Sequence, residues 1–475
     1  MELGYSLLRT LQASDTLDCW RRRFISVRLD IQFPSLVHSS VRTKRLILSA
    51  FNKKLPFSTS PRKRRTNNTW IQASKSITMY SKLITALAAV GAGVASAQST
   101  NICSSATVTV TDAAMATALP CTTFTGSVKI SEDITGNIDI NGPKTIKGDL
   151  IVTNVTQLVG LTSSTLASVE GTFQMQGLTL LSDLRFTSLA TVGSINWVTL
   201  PALGSLVFGT AGVTKVNDIL ISDTFLKSLD GLNVASVDSL RINNNNQLVS
   251  YSNQLANATK TIEINSNGPD LGITLPNLIW AGEIIIADAA KVQMNSLEVV
   301  NGSIKFDKNT FTEFIAPNLT QTTDGDVSFI NNVELTNLSL PLLAKTGGGL
   351  TIQNNTLLQK IDGLPKLKQI GGAVLLRGNF TEVDLPALED VKGAFDTQST
   401  GNIDTSCDVF NKMKGRQIQG DYKCRSNNTN ANKDGDSNGG SAGGSTNNNN
   451  GAAGNVAVNT AILGAAVLFG LTQLL

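Results

Sequence analysis

Gly282-Glu283-Ile284-Ile285-Ile286, Gly302-Ser303-Ile304-Lys305-Phe306, Gly325-Asp326-Val327-Ser328-Phe329 and Gly348-Gly349-Leu350-Thr351-Ile352 are four versions of one short segment. Each opens on glycine and then alternates inward apolar with outward positions, the period of a half-buried strand. The same segment recurs in both directions along the chain. Its first inward residue falls at Leu150, Phe173, Ile195, Ile219, Leu240, Ile262, Ile284, Ile304, Val327, Leu350, Val374 and Phe395, in steps of 20–24 residues. Val128 and Ile138 read as shortened rungs leading in. A repeat of this length means a solenoid, in which each unit buries its apolar edge against the next. The expected fold is mainly β: a right-handed parallel β-solenoid, a rod on the order of 65 Å long at ~4.8 Å per rung.

Two further columns recur between the strands. Leu200-Pro201-Ala202-Leu203, Leu275-Pro276-Asn277-Leu278, Ala316-Pro317-Asn318-Leu319, Leu340-Pro341-Leu342-Leu343, Leu364-Pro365-Lys366-Leu367 and Leu385-Pro386-Ala387-Leu388 would fill the interior of the return path. Proline there suits an extended segment without a ladder partner. Asn245, Asn267, Asn309, Asn332, Asn355 and Asn379 each stand five residues past the strand reference. An Asn at a fixed point on every rung can satisfy its amide against the next turn, forming a ladder.

The flanks describe a route. Met79 begins MYSKLITALAAVGAGVASAQS, with Lys82, an apolar run from Leu83 to Val94, then Ala95-Ser96-Ala97. That is a secretory signal peptide cut after Ala97, and it is too short to span a bilayer. Residues 1–78 carry +11 and the remainder −8. Translation is expected to start at Met79, with residues 1–78 a gene-model artefact; a long basic leader processed elsewhere is the alternative. At the other end, residues 425–450 are an Asn/Gly/Ser stalk expected to be disordered. An uncharged apolar tail follows within 451–475, and with small residues and a spacer it forms a GPI-attachment signal. Asn450 is the expected attachment site and Gly451 the runner-up.

Four cysteines follow the signal peptide: Cys103, Cys121, Cys407 and Cys424. Three connectivities are possible. The local pairing closes two short loops at opposite ends, each worth about 3 kcal/mol in the chain-entropy model. Those loops bound an N-terminal cap (98–125) and a C-terminal cap (401–424) around a solenoid at 126–400. Thr111-Asp112 can cap a short helix through Leu119, and Cys407 to Lys414 can form another. Asn-x-Ser/Thr sequons stand at Asn154, Asn257, Asn301, Asn318, Asn337, Asn354, Asn379 and Asn427. Asn379 also belongs to the inward column, where it could not carry a glycan.

The Gly-led strands, Leu-Pro-x-Leu returns, cysteine-bounded ends, Asn/Ser/Gly stalk and apolar tail together resemble the fungal GPI-anchored cell-wall organisation proteins related to sporulation-specific wall proteins. Their repeats are similar to the leucine-rich receptor L domains. The resemblance covers roughly residues 98–475. It implies a role in wall integrity and organisation, at the plasma membrane or in the wall, without an established catalytic activity.

The residues themselves bear on chemistry. The one histidine, His38, precedes the signal peptide, which removes histidine acid–base and triad chemistry from the processed chain. A carboxylate pair of the glycosidase kind remains open. The outward middle residue of successive strands reads Lys129, Asp139, Ile151, Gln174, Asn196, Leu220, Arg241, Glu263, Ile285, Lys305, Ser328, Thr351, Leu375 and Asp396, with no two carboxylates adjacent. Glu263 beside Arg241, and near Lys305 two rungs on, reads as cross-strand charge pairing. The expected binding face is Ile151, Leu220, Arg241, Glu263, Ile285, Lys305 and Leu375, for wall glucan or a surface protein; a face covered by glycans or a loop is the alternative. Trp197 and Trp280 are expected in the core. No catalytic residue, metal site, cofactor or nucleic-acid partner is expected, and the lipid partner is the GPI anchor. Two other functions stay open: a ligand-binding surface receptor acting through a partner, and an enzyme acting on wall polysaccharide.

Overall fold

The computed structural model describes residues 102–433. The expected signal peptide and leader, most of the expected stalk and the expected attachment residues Asn450 and Gly451 lie outside the described residues. What is described is a parallel β-solenoid with a spacing near 22 residues.

The main ladder joins strands in the register read from the sequence. Leu150 pairs with Phe173, Phe173 with Ile195, Ile195 with Ile219, and so on through Leu240, Ile262, Ile284, Ile304, Val327, Leu350, Val374 and Phe395. Every one of these reference residues is buried. Shifting any strand by one residue would carry its apolar set to the solvent face, so the alternation pins the register. The ladder also runs beyond 126–400: Val108 pairs with Val128 before it, and Tyr422 with Phe395 after it.

Ile138 corrects the expectation of a second lead-in rung. It pairs with Leu161 in a separate four-stranded sheet. Only ten residues part it from Val128, half a coil, so it lies on the return path of its own turn. Short parallel sheets of this kind recur on the return side, at Ser250–Ser252 with Gly272–Thr274 and at Glu313–Ile315 with Asn337–Ser339. Return strands alternate as the main strands do, and the sequence pattern alone cannot separate the two.

The Leu-Pro-x-Leu segments are turns rather than extended runs. In each, the second Leu N–H donates to the carbonyl of the first position, at 3.1–3.3 Å, from Leu203→Leu200 through Leu388→Leu385. Proline presets φ for the second position of such a turn, and the flanking leucines are buried as expected.

The asparagine ladder forms in two runs. Asn267 Oδ1 accepts from Asn245 N and Nδ2. Asn332 Oδ1 accepts from Asn309 N and Nδ2, and Asn355 Oδ1 from Asn332 N and Nδ2. Each Nδ2 also reaches the strand carbonyl of the rung before, as Asn332 does to Phe306. Ala289 holds the equivalent place between the runs, its N–H donating to Asn309 Oδ1. Asn379 stands outside the ladder. Phe380 takes the interior there, and Asn379 Nδ2 donates to Thr356 O while its Oδ1 accepts from Thr400 and Asn432.

One position before the ladder the chain turns in the left-handed region on rung after rung: Asn154, Gly177, Thr199, Asp223, Asn244, Ser266, Asp288, Lys308, Asn331 and Asn354, with φ between 54° and 66°. This corner swings the next side chain inward. Asn, Asp and Gly tolerate it, which is why they dominate the column. At the other end of the strand, a Cβ on Gly325 would lie 2.1 Å from the Gly302 carbonyl carbon, so the coils stack backbone on backbone at the glycine bend.

Both ends are covered. Cys103–Cys121 and Cys407–Cys424 are bonded, closing local loops. A helix at Ala113–Thr117 starts on Asp112, whose carboxylate accepts from Met115 N at 2.8 Å. A second helix, Asp404–Met413, packs Phe410 on Phe395 with centroids 4.8 Å apart. Within the core, Phe306 lies 4.4 Å from Phe314 and 5.0 Å from Phe329; such pairs add about 0.5–1.5 kcal/mol each beyond their burial.

Candidate interaction face

The outer face of the main ladder is where the sequence places a binding surface. Its middle column runs in direct register from Ile151 through Gln174, Asn196 and Leu220 to Arg241, Glu263, Ile285 and Lys305, then Ser328, Thr351, Leu375 and Asp396. Ile151, Leu220, Glu263, Ile285, Lys305 and Leu375 are half-buried and Arg241 is exposed. Asp139 drops out of the column. It sits on the return sheet opposite Thr162, which donates to its Oδ1 at 3.0 Å.

Charge on this face is paired across rungs. Arg241 Nε lies 3.6 Å from Glu263, and Lys305 Nζ is 3.1 Å from Glu283. Lys305 thus takes the carboxylate one rung away rather than Glu263 two rungs away. Near the short strand before the bend, Lys260 lies 3.1 Å from Asp238. The Thr259 hydroxyl, then Lys260, hold Asp238 below the usual carboxylate range. A general acid needs the opposite displacement. At the C-terminal end, Arg377 Nη2 meets Asp396 at 2.7 Å with both side chains largely buried. Gln398 binds the other Asp396 oxygen, and Asn428 binds Gln398. Residues 427–433 fold over this edge, burying Ala431, so the free part of the face lies on the earlier rungs.

The sequons are distributed around this surface rather than on it. Asn154 and Asn354 are corner residues, Asn318 lies in a proline turn, and Asn337 is on a return strand. Asn257 and Asn301 flank the glycine bend, while Asn379 and Asn427 lie at the C-terminal edge. The middle outward column of the main ladder carries none of them, although Asn257 opens a strand of the same sheet. Asn154, Asn301, Asn318, Asn337 and Asn427 are exposed; Asn257, Asn354 and Asn379 are partly buried.

A second outward column was missed by sequence reasoning. The short strands before the glycine bend form their own ladder, and Asn257, Trp280, Val299, Gln321, Lys345, Gln369 and Asp390 follow one another along it. Two grooves open on it, one lined by Ile279, Trp280, Glu298, Val299 and Asn301, the other polar and lined by Lys345, Gln369 and Asp390 among others. Trp197 is buried in the core, but Trp280 is not: it faces outward on this column. The signal was a residue four to six places before each strand reference, and from Val299 onward it sits in two-residue strands too short to show a period. Among the described residues no group of three or more His, Cys, Asp or Glu side chains converges.

With this geometry in place, comparison with known proteins is informative. The chain is 39% identical over 320 residues to protein ecm33 of Aspergillus fumigatus, covering 67% of this chain and 79% of that one. It is 32% identical over 347 residues to the cell surface GPI-anchored protein ECM33 of Candida albicans, covering 72% and 83%. To sporulation-specific protein 2 of Saccharomyces cerevisiae it is 35% identical over 311 residues, or 64% and 61%. No family profile matches the chain. No solved structure matches it.

Proposed function

Because the chain belongs to the family of GPI-anchored fungal cell-wall proteins that includes these relatives, we propose that its solenoid is a non-catalytic organiser, presenting the outer face of the main ladder to wall polysaccharide or to a surface protein. Its role is in cell-wall organisation, and its place is the cell surface and wall. The GPI lipid tethers it there, with Asn450 the attachment residue and Gly451 the alternative. The observation that carries the reading is the distribution of sequons. None of the eight falls on the middle outward column from Ile151 to Asp396, so glycans would flank that register-locked strip and leave it bare. That surface mixes apolar Leu220 and Ile285 with the Arg241–Glu263 pair, a composition suited to a partner rather than to bulk water. Solenoids use such extended faces for binding.

The test is capture of wall polysaccharides and surface proteins by the secreted ectodomain, compared with Leu220→Asp and Ile285→Asp. Each change should weaken capture about tenfold if it removes a central contact. Undiminished capture by both variants would move the binding surface elsewhere. New reducing ends on incubation with glucan oligomers would overturn the non-catalytic part of the reading.

A further inference from the structure

Along the column before the glycine bend the outward residues are polar on most rungs, as at Ser236 and Asn257 before, and Gln321, Lys345 and Gln369 after. The exception is two rungs long. Trp280 pairs with Val299, and together with Ile279, which is 45% exposed, they make an apolar groove. Asn301, the acceptor of the sequon Asn301-Gly302-Ser303, lines the same groove. Its side chain is exposed, and its backbone is fixed by a 2.9 Å bond from Asn301 N to Ala281 O. Asn257, the sequon on the other side of Trp280, accepts from the Ser236 hydroxyl and so leans to the preceding rung.

We infer that the groove is the seat of the chain's own N-glycan: the sugar joined to Asn301 lays the apolar C–H face of its first N-acetylglucosamine on Trp280 and Val299. The bond to Asn301 Nδ2 forms at the anomeric carbon of a lipid-linked oligosaccharide as the carbon–oxygen bond to its diphosphate breaks, and the amide loses one proton. A tethered ring needs little intrinsic affinity, because attachment holds it at high effective concentration beside the indole. Stacking on an aromatic face then buries apolar area on both partners. Two half-buried apolar rungs in an otherwise polar column, with the exposed Ile279 beside them, are thereby covered without a foreign ligand.

This inference rests on export through the secretory route, and the experiment separates the two. Site occupancy is read by glycopeptide mass spectrometry. Acrylamide quenching of Trp280 is read as the difference between the secreted protein and its Trp280→Phe variant. Asn301 should be occupied, and quenching of Trp280 should rise on the order of twofold in Asn301→Gln as a covered ring face is freed. Ser303→Thr keeps the sequon and should keep the protection, as should trimming every glycan to one N-acetylglucosamine. Asn318→Gln, in a proline turn, should leave it unchanged. Equal quenching in Asn301→Gln and the parent, or an unoccupied Asn301 beside other occupied sequons, overturns the inference and leaves export intact. A secreted protein without glycan at any sequon likewise overturns the inference alone, whereas a chain retained inside the cell and free of glycan overturns both.

Discussion

Asn332→Ala should be among the most damaging single changes in the rod, although it removes no apolar atom. Asn332 is fully buried. Its Oδ1 is the acceptor for the backbone N–H of Asn309 at 3.0 Å and for Asn309 Nδ2 at 2.9 Å. Its Nδ2 donates to Phe306 O at 3.2 Å and to Asn355 Oδ1 at 3.1 Å. Alanine leaves the Asn309 N–H facing an apolar gap, at a cost of about 1–3 kcal/mol for a buried donor without an acceptor. The two amide–amide bonds add roughly 1 kcal/mol each. The total is about 3–5 kcal/mol, in the range reserved for broken buried networks. The assay is guanidinium unfolding of the deglycosylated ectodomain, followed by circular dichroism. Asn337→Ala, exposed on a return strand, is the control and should shift stability by no more than about 0.5 kcal/mol. If the two variants unfold at the same midpoint, the ladder is a by-product of the corner geometry and holds nothing.

Three other expectations follow from particular residues. Thr199 is β-branched yet sits at φ 57°, so Thr199→Asn should raise stability by about 1 kcal/mol, read in the same unfolding assay. Replacing Cys407 and Cys424 by serine should cost about 3 kcal/mol and speed hydrogen exchange first across Asp404–Arg425, leaving the middle rungs protected because each coil touches only its neighbours. Burial raises the Tyr251 hydroxyl far above its ordinary value and Tyr422 to about 12. In the unfolded chain both deprotonate near pH 10, so the native state holds more protons above that point and stability falls as pH rises from about 10 to 12. Melts at pH 9 and 11 should differ, and Tyr422→Phe should narrow the difference.

How much of this was legible in the chain differs by column. The inward residues of the main ladder were placed correctly one by one, because a residue buried in every coil must be apolar and the period repeats it. The Leu-Pro-x-Leu leucines were found for the same reason. Their backbone was misread, since proline marks both edge segments and the second position of turns, and only the Leu203→Leu200 type of bond tells them apart. Asn379 matched the ladder by spacing and failed in space, displaced by Phe380 as the last rungs meet the C-terminal cap. Trp280 was expected inside because it is large and apolar, yet it stands outside because its position in the coil is an outward one.

By itself, then, the sequence determined the repeat and the strand register, which follow from local alternation multiplied along the chain, while the family resemblance rested on the cysteine-bounded ends, the proline returns, the stalk and the tail together. Which half of a coil Ile138 and Asp139 occupy, that Lys305 turns to Glu283, that Asn301 opens onto the groove of Trp280, and that sequons far apart in the chain all miss one outward column were decided only in three dimensions. The physical reason is that a solenoid brings residues about 22 positions apart into contact. Partnership there depends on the corner and bend geometry of every coil, which no single stretch of sequence contains.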